Sequence, residues 1–529
     1  MAYSTGKLAF IFIVAVMLAC LGAWWTAHRY RLAMRRLMSA PVPMGGRAVA
    51  PSADREARLP PALATLPMPP SLADNRSRAI RLTLLLIGLS GLLAISSASV
   101  WLAVSFKGEP FAPRRAALLA LVHVWPVIPA LGLLWRWSRT RVLGALALWC
   151  VLCFGVLLWR SIEPRPLELL QFLAGDIGVP LVLVGLLLMG NATRAVAPWL
   201  LPPLVGLVWA SIAGIDSLAW LVERRSPLLR WLTSWLGVNG VILLFALLPW
   251  LLAWWPLRRL GRALGRAYAR KQLSELLVLF TAVWAIALLD QALTLASAAG
   301  LAGLALLLPL AWIPLVMTLN ARLRTEPGRP RTLLVLRVFQ HDAQVQDLFD
   351  HVVERWRLSG NTVLIAGTDL ADRTLDAADI FTFLDGGLAT RFIRTAADVA
   401  PRLAAFDLAR DADGRFRVNE CYCHDTTWQD ALAALVQRSD AVLMDLRGFQ
   451  AHNAGCRHEL AALARTPQAL RVIVLTDGQT DRGAAAEAVT DAPPGRFVWL
   501  DAARIDARKR ADVLAALFGR IDAVPAPLS

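Results

Sequence analysis

Long apolar runs dominate the first 330 residues of this 529-residue chain. A helix needs about 20 mostly apolar residues to cross the roughly 30 Å hydrocarbon core of a bilayer. Nine runs come close to that length, at residues 8–27, 80–103, 117–135, 142–160, 177–193, 198–221, 236–255, 275–296 and 301–319. The pattern predicts an α-helical polytopic membrane region, with an anchor helix and basic flank at 1–36 and eight further spans within 79–320. The proline-rich stretch between them, 37–78, predicts a flexible linker.

The hydrophobic pattern changes at residue 331. From there to residue 529, short apolar runs rich in β-forming residues alternate with amphipathic helical segments. Five strands are predicted, at residues 332–339, 361–367, 440–446, 470–478 and 496–502. Continuous apolar strands that alternate with helices predict one α/β domain with a parallel sheet covered on both faces.

The segment at 368–426 is too long for a simple connection, so we expect an insertion over one edge of the sheet, after the second strand. Its "DADGRFRVNECYCHD" has an Asp-Gly turn between two alternating arms, which predicts a hairpin.

The net charge of +16 is unevenly distributed along the chain. Residues 1–330 contain 32 Lys and Arg against 12 Asp and Glu, whereas the remainder contains 23 against 27. A nucleic-acid-binding role would need a basic face on the soluble domain, so this class is set aside. Loops on one predicted side of the membrane carry 23 basic residues and those on the other side carry 8. The positive-inside rule then predicts an inner (plasma) membrane protein with its amino terminus outside and its carboxy-terminal domain in the cytoplasm.

Intramembrane carboxylates are candidates for a transport function, and Asp216 and Asp290 are the two in this chain that could lie within spans. Both fall near predicted helix ends, and no repeated broken-helix motif accompanies them. The membrane region is therefore interpreted as an anchor or sensor. A transporter with a regulatory cytoplasmic domain is the alternative.

Five residues lie at or just past the predicted carboxyl ends of the first three strands, where doubly wound sheets bind ligands. These candidate substrate-binding residues are Phe339, Asp342, Asp369, Asp445 and Arg447. Phe339 could stack on a ring or belong to the core. Arg447 could bind a phosphate or pair with Asp445.

The helix after the third strand begins with "NAGCRHELAAL", residues 453–463. Asn453 is the expected helix cap. The spacing of Cys456, Leu460 and Leu463 predicts that they face the sheet. Glu459 is predicted at the margin of this buried face, where it borders the cleft, either as a site residue or as an ordinary helix-surface carboxylate.

These elements resemble those of Toll/interleukin-1 receptor (TIR) domains. "SDAVLMDLRGFQAHNAGCRHELAALA" is similar to the family's third strand and the following C-x-x-E-L helix, and "LLVLRVFQHDAQVQDLFDHVVERWRLSGNTVLIAG" to its opening strand, helix and second strand. The likeness covers about residues 332–478. It departs from the family at Gly455, where a tryptophan is usual, and at Asp445, where a serine is usual. The implied fold is a flavodoxin-like parallel five-stranded sheet.

The TIR resemblance implies one of two functions. Catalytic members cleave the nicotinamide–ribose bond of NAD with the glutamate of the C-x-x-E element, which is Glu459 here, and NAD is then a substrate rather than a cofactor. A fixed carboxylate can stabilise the oxocarbenium-like ribose that forms. Other members are non-catalytic signalling modules that assemble by self-association. The related nucleoside deoxyribosyltransferases are a close chemical neighbour.

Six cysteines give no pattern of a secreted, disulfide-linked domain. Cys421, Cys423 and His424, with Cys456 from a separate element, are weak candidates for zinc because C-x-C-H is not a standard zinc spacing. Reduced structural thiols, a metal site and redox sensing stay open, with no metal expected.

Overall fold

The apolar runs form long helices in the computed structural model. The structure describes residues 5–39, 71–106, 108–160, 165–324, 330–337, 347–366, 377–424, 426–467 and 471–519. Most of the predicted linker, residues 40–70, lies outside these ranges. The chain divides into two compact units. The first comprises Met1–Arg29, Thr83–Asn320 and Leu375–Phe381, and the second comprises Tyr30–Leu82, Ala321–Thr374 and Thr382–Ser529.

Among the described residues, ten α-helices and one 3₁₀ helix precede the sheet. They are α1 Thr5–Ser39, α2 Leu72–Ser105, α3 Pro113–His123, α4 Val127–Leu134, α5 Arg139–Arg160, α6 Pro166–Leu188, α7 Asn191–Glu223, α8 Pro227–Ala269, α9 Glu275–Ala299, the 3₁₀ helix Gly300–Ala311 and α10 Trp312–Leu323. Within the described residues, eight helices are long and apolar enough to cross a membrane, or nine if the bent pair α3–α4 counts as one span. These elements coincide with the nine predicted runs. The chain is therefore a multi-pass membrane protein by the length and composition of its helices.

The second unit contains a seven-stranded parallel sheet, rather than the five strands predicted. The strands are β1 Arg331–Arg337, β2 Gly360–Ala366, β3 Phe392–Ile393, β4 Val418–Cys423, β5 Ala441–Asp445, β6 Arg471–Thr476 and β7 Phe497–Asp501. Their order is β3-β4-β2-β1-β5-β6-β7. The five predicted strands are thus adjacent, in the order second, first, third, fourth and fifth.

The two additional strands come from the predicted insertion. β4 pairs in parallel with β2, and β3 pairs in parallel with β4. Of the expected hairpin, the described residues show one antiparallel bridge, between Arg410 and Phe416, across the Asp-Gly turn. The main partner of the second arm is β2, with which it pairs in parallel. The second arm continues into the sheet and covers the edge of β2, which would otherwise expose its unpaired backbone groups.

Helices lie on both faces of the sheet. The helices in this part of the chain are the short segment α11 (π-helical Phe349–Val353 continued by Glu354–Trp356), α12 Ala377–Leu384, α13 Val399–Ala404, α14 Trp428–Arg438, α15 Ala454–Arg465, α16 Arg482–Ala488 and α17 Ala507–Phe518. One continuous core joins alternate strand residues with α13, α14, α15 and α16. The remaining strand residues face the other way, on the side where Trp356 of α11 packs against Phe518 of α17 with ring centroids 5.0 Å apart.

Candidate functional site

Helix α15 presents one carboxyl group among its core residues. Cys456, Leu460 and Leu463 are buried as predicted from their spacing. Glu459 is buried with them and is only 5% exposed, so its expected place at an open margin of the helix was wrong. On a helix, position 459 lies beside both 456 and 463, and these neighbours belong to the core. Asn453 stands at the N-cap position as predicted, but its side chain makes no capping hydrogen bond to the helix, and its Oδ1 instead accepts a hydrogen bond from the backbone N–H of Gln450 at 2.8 Å.

The Glu459 carboxyl lies near the carboxyl end of the central strand β1. Cys456, one helical turn earlier, has its Sγ 3.9 Å from the carbonyl oxygen of Arg337, the last residue of that strand. Among the described residues, the Oε2 atom of Glu459 has no hydrogen-bond partner. A buried carboxyl oxygen without a partner costs free energy, which is why such groups call for a functional explanation.

Burial sets the protonation state of this cluster. Loss of solvent raises the pKa of Glu459 to about 8, against an opposing effect of the positive charge on Arg337. Burial, and then the neighbouring charge of Glu459, raise the pKa of the Cys456 thiol to about 12. At neutral pH the thiol is therefore protonated and not a nucleophile. The pKa of the Glu459 carboxyl group lies close to neutral pH, as the pKa values of catalytic acids and bases often do.

Asp445 and Arg447 pair with each other at the end of β5. The Arg447 guanidinium donates to both carboxylate oxygens of Asp445, at 2.8 Å from Nε and 2.6 Å from an Nη atom, and its side chain is fully buried. A second carboxylate, that of Asp347, lies 3.8 Å away. These contacts favour the structural alternative for Arg447, while its predicted phosphate contact stays a prediction. Phe339, Asp342 and Asp369 lie outside the described residues.

The candidate metal ligands do not form a cluster. Cys421 and Cys423 project from the same face of β4 with their Sγ atoms 3.8 Å apart. The Cys423 thiol hydrogen-bonds to Cys421, which lowers the pKa of Cys421 and raises that of Cys423. His424 packs its ring beside Phe392, and Cys456 lies on α15. No group of three or more His, Cys, Asp or Glu side chains in the described part of the chain is arranged to hold a metal ion.

Ends of three membrane helices belong to the second unit, which was not predicted from the sequence. The hydroxyl of Tyr30, on α1, lies 3.2 Å from that of Tyr422 on β4. Near the start of α2, the Asn75 amide donates to the Arg355 carbonyl at 2.8 Å, and Arg78 donates to a neighbouring carbonyl. Just after α10, Arg324 donates to backbone carbonyls of the Asp-Gly turn. Asn75 and Arg78 are three residues apart, and this polar pair just before an apolar run is the one signal that could have indicated a docking surface.

The Asp-Gly turn is itself held by buried ion pairs. Arg415 pairs with Asp413 at 3.0 Å and with Glu354 of α11 at 3.2 Å. Arg417 pairs with Asp411 at 2.7 Å. The pair between Arg415 and Glu354 could not be predicted from spacing, because the two residues are 61 positions apart in the sequence.

Comparison with protein-family models, with curated proteins and with solved structures found no match for this chain. The fold and the site define its class as a multi-pass membrane protein with a parallel α/β unit.

Proposed function

We propose that this chain is an inner-membrane protein whose cytoplasmic α/β unit, a TIR-like domain of flavodoxin type, hydrolyses the N-glycosidic bond of NAD or a related nucleotide. The order of the five predicted strands is the one typical of flavodoxin-type sheets. The observation that carries the proposal is the buried Glu459 carboxyl, whose Oε2 atom has no partner among the described residues beside the last residue of β1. Such an oxygen is available to a ligand without breaking an existing hydrogen bond.

The charge of the substrate fits this site. NAD carries a positive charge on its nicotinamide ring, and that charge moves to the ribose as the bond breaks. A cation beside Glu459 would add to the effect of Arg337 and favour the carboxylate over the acid, because opposite charges lower the pKa of a carboxyl group. Substrate binding would therefore release the proton that burial retains. The carboxylate would then stabilise the developing cation more strongly than in water.

The proposed reaction is balanced as a hydrolysis. The bond between ribose C1′ and the nicotinamide nitrogen breaks, and its electron pair neutralises the ring. Water adds to C1′ and gives a proton to the Glu459 carboxylate, which passes it to solvent. The role of Glu459 is to stabilise the ribosyl cation and to accept this proton.

The test uses the full chain in lipid nanodiscs, incubated with NAD while nicotinamide release is measured by chromatography. We expect Glu459→Gln to lower the rate by at least about 100-fold, as loss of one positioned catalytic group does. Glu487→Gln, on the exposed surface of α16, is the matched control and should retain the unaltered rate. Equal rates for Glu459→Gln and the unaltered chain would falsify the role of Glu459.

A second candidate is a non-catalytic, membrane-tethered assembly module. The 5% exposure of Glu459 favours it, because a covered carboxyl must be uncovered before it can contact a sugar. This candidate predicts no nicotinamide release at any protein concentration, together with self-association that light scattering detects. Release by the unaltered chain would exclude it.

A further inference from the structure

Helix α8 is much longer than a membrane crossing requires. Its 43 residues, Pro227–Ala269, correspond to about 64 Å at 1.5 Å per residue. Gly237, with a φ of 68°, interrupts the helical backbone near its start. The apolar stretch that follows, residues 238–255, is about 27 Å long and suffices to cross the hydrocarbon core. The last 14 residues, from Pro256 onward, therefore extend beyond it.

This extension carries arginines along one face. Arg258, Arg259, Arg262 and Arg266 fall within an arc of about 100° when each residue advances by 100° around the helix. Arg270 follows at the end of the helix, and all five side chains are exposed.

Another side of the extension is packed within the first unit. Tyr268 is buried there, with its ring centroid 5.3 Å from that of Trp199 and 6.0 Å from that of Phe381. Gly265 lies against the same phenylalanine. Packing on this side fixes the rotation of the helix, so the arginine face is held outward.

The outward face carries arginines for which the described residues provide no acidic partner. None of its five arginines forms an ion pair with an acidic side chain in the described part of the chain. The Arg259 guanidinium instead lies 3.3 Å from the centre of the Trp255 ring. Trp254 and Trp255 are both exposed, and tryptophan at the end of an apolar helix is typical of the membrane–water interface.

We propose that Trp254, Trp255, Arg258, Arg259 and Arg262 form a binding site for the headgroups of anionic phospholipids. The guanidinium group matches the geometry of a phosphate oxygen pair. From the level of Trp255, the Cα atoms of Arg258, Arg259 and Arg262 lie roughly 5, 6 and 10 Å along the helix. The headgroup layer is about 5–7 Å thick, and a charge acts over a further 8 Å or so at physiological ionic strength.

The two remaining arginines fall outside that range on a helix parallel to the bilayer normal. Arg266 and Arg270 lie roughly 16 and 22 Å from Trp255. This distance provides a matched control, because Arg258 with Arg262 and Arg266 with Arg270 are both pairs four residues apart on one exposed face. Each double substitution by glutamine removes the same charge.

The experiment measures which lipids the full chain retains. The chain is equilibrated with mixtures of phosphatidylglycerol and phosphatidylcholine, and the bound lipids are counted by native mass spectrometry. We expect R258Q/R262Q to lower the preference for phosphatidylglycerol by at least about tenfold, and R266Q/R270Q to change it by less than about twofold. On the unaltered chain, the preference should fall as the salt concentration rises, a measurement that does not depend on any variant folding.

Three results would overturn the proposal. Equal losses in the two double variants would show attraction to net charge rather than a local site. Displacement of the lipid by millimolar inorganic phosphate would show a site for free anions. A preference that salt leaves unchanged would show that the lipid is selected by contacts other than these charges.

Discussion

At the scale of single residues, Glu459 is unusual because a carboxyl group occupies a buried position on an otherwise apolar helix face. Its position between Cys456 and Leu463 on α15 is one where an apolar side chain would pack at no electrostatic cost. Burial raises the pKa of Glu459 to about 8, so folding favours the neutral acid, whereas the unfolded chain ionises near the ordinary value of 4.5. The folded state therefore binds the Glu459 proton more tightly than the unfolded state between these two pH values.

This difference predicts how Glu459→Gln changes stability with pH. Ionisation of Glu459 favours the unfolded chain as pH rises from about 4.5 to about 8, by at most about 1.4 kcal/mol per pH unit, and glutamine cannot ionise. The variant and the unaltered chain should be similarly stable at pH 5, and the variant should be the more stable at pH 8. The measurement is the thermal midpoint of the detergent-solubilised chain across this range, with Glu487→Gln as the control. Parallel curves for Glu459→Gln and the unaltered chain would contradict a buried Glu459.

The residues of the candidate site show what a sequence can and cannot provide. The positions of Cys456 and Leu460 follow from helical spacing, and Asp445 ends its strand as predicted. Burial of Glu459 does not follow, because one carboxylate at the border of an apolar stripe can lie on either side of it. The pairing of Arg447 with Asp445 was one of two predicted alternatives, and the choice between them depends on the conformation of the loop after β5.

At the scale of elements, strands are easier to predict than their partners. All five strands predicted from continuous apolar runs are present, because burial on both faces requires apolar residues throughout. β4 was recognised as an alternating segment but given the wrong partner. Alternation shows that the two faces of a strand differ, and it carries no information about which neighbour the strand pairs with. β3 has only two residues, which is too short for any periodic signal.

Arg447 connects several of these elements, which leads to a prediction for the sheet. Its guanidinium pairs with Asp445 at the end of β5 and lies within 3.5 Å of the carbonyl oxygen of Ala502, after β7. Arg447→Met would leave the buried Asp445 carboxylate without its cation, and we expect a loss of about 3–5 kcal/mol in the free energy of unfolding. Arg438→Met, on the exposed surface of α14, should cost less than about 0.5 kcal/mol.

Chemical denaturation followed by circular dichroism measures both losses. The double variant Asp445→Asn with Arg447→Met should lose less than the two single variants added together, because removal of both charges leaves neither one unpaired. Additive losses would show that the pair is not coupled.

At the scale of the whole molecule, the distribution of charge and the number of spanning helices must agree on the same membrane topology. The basic loops predict that the two termini lie on opposite sides of the membrane, and this requires an odd number of crossings. Eight long helices alone would put both termini on the same side. The predicted orientation therefore depends on α3 and α4, which are bent by 43° at their junction and must cross together as the ninth span.

Single cysteines on the two sides of this helix pair test the orientation. The loop before α3 contains Glu109 and the loop after α4 contains Ser138. If the pair crosses, Glu109→Cys should react with a membrane-impermeant maleimide in intact vesicles whose outer face is the outer face of the cell membrane. Ser138→Cys should react only after these vesicles are opened. The unaltered chain supplies the background from its native cysteines. Reaction of both variants from the same side would make α3–α4 a re-entrant loop, reduce the crossings to eight and place both termini together. The cytoplasmic location proposed for the α/β unit would then require the amino terminus to be cytoplasmic as well, against the distribution of basic residues.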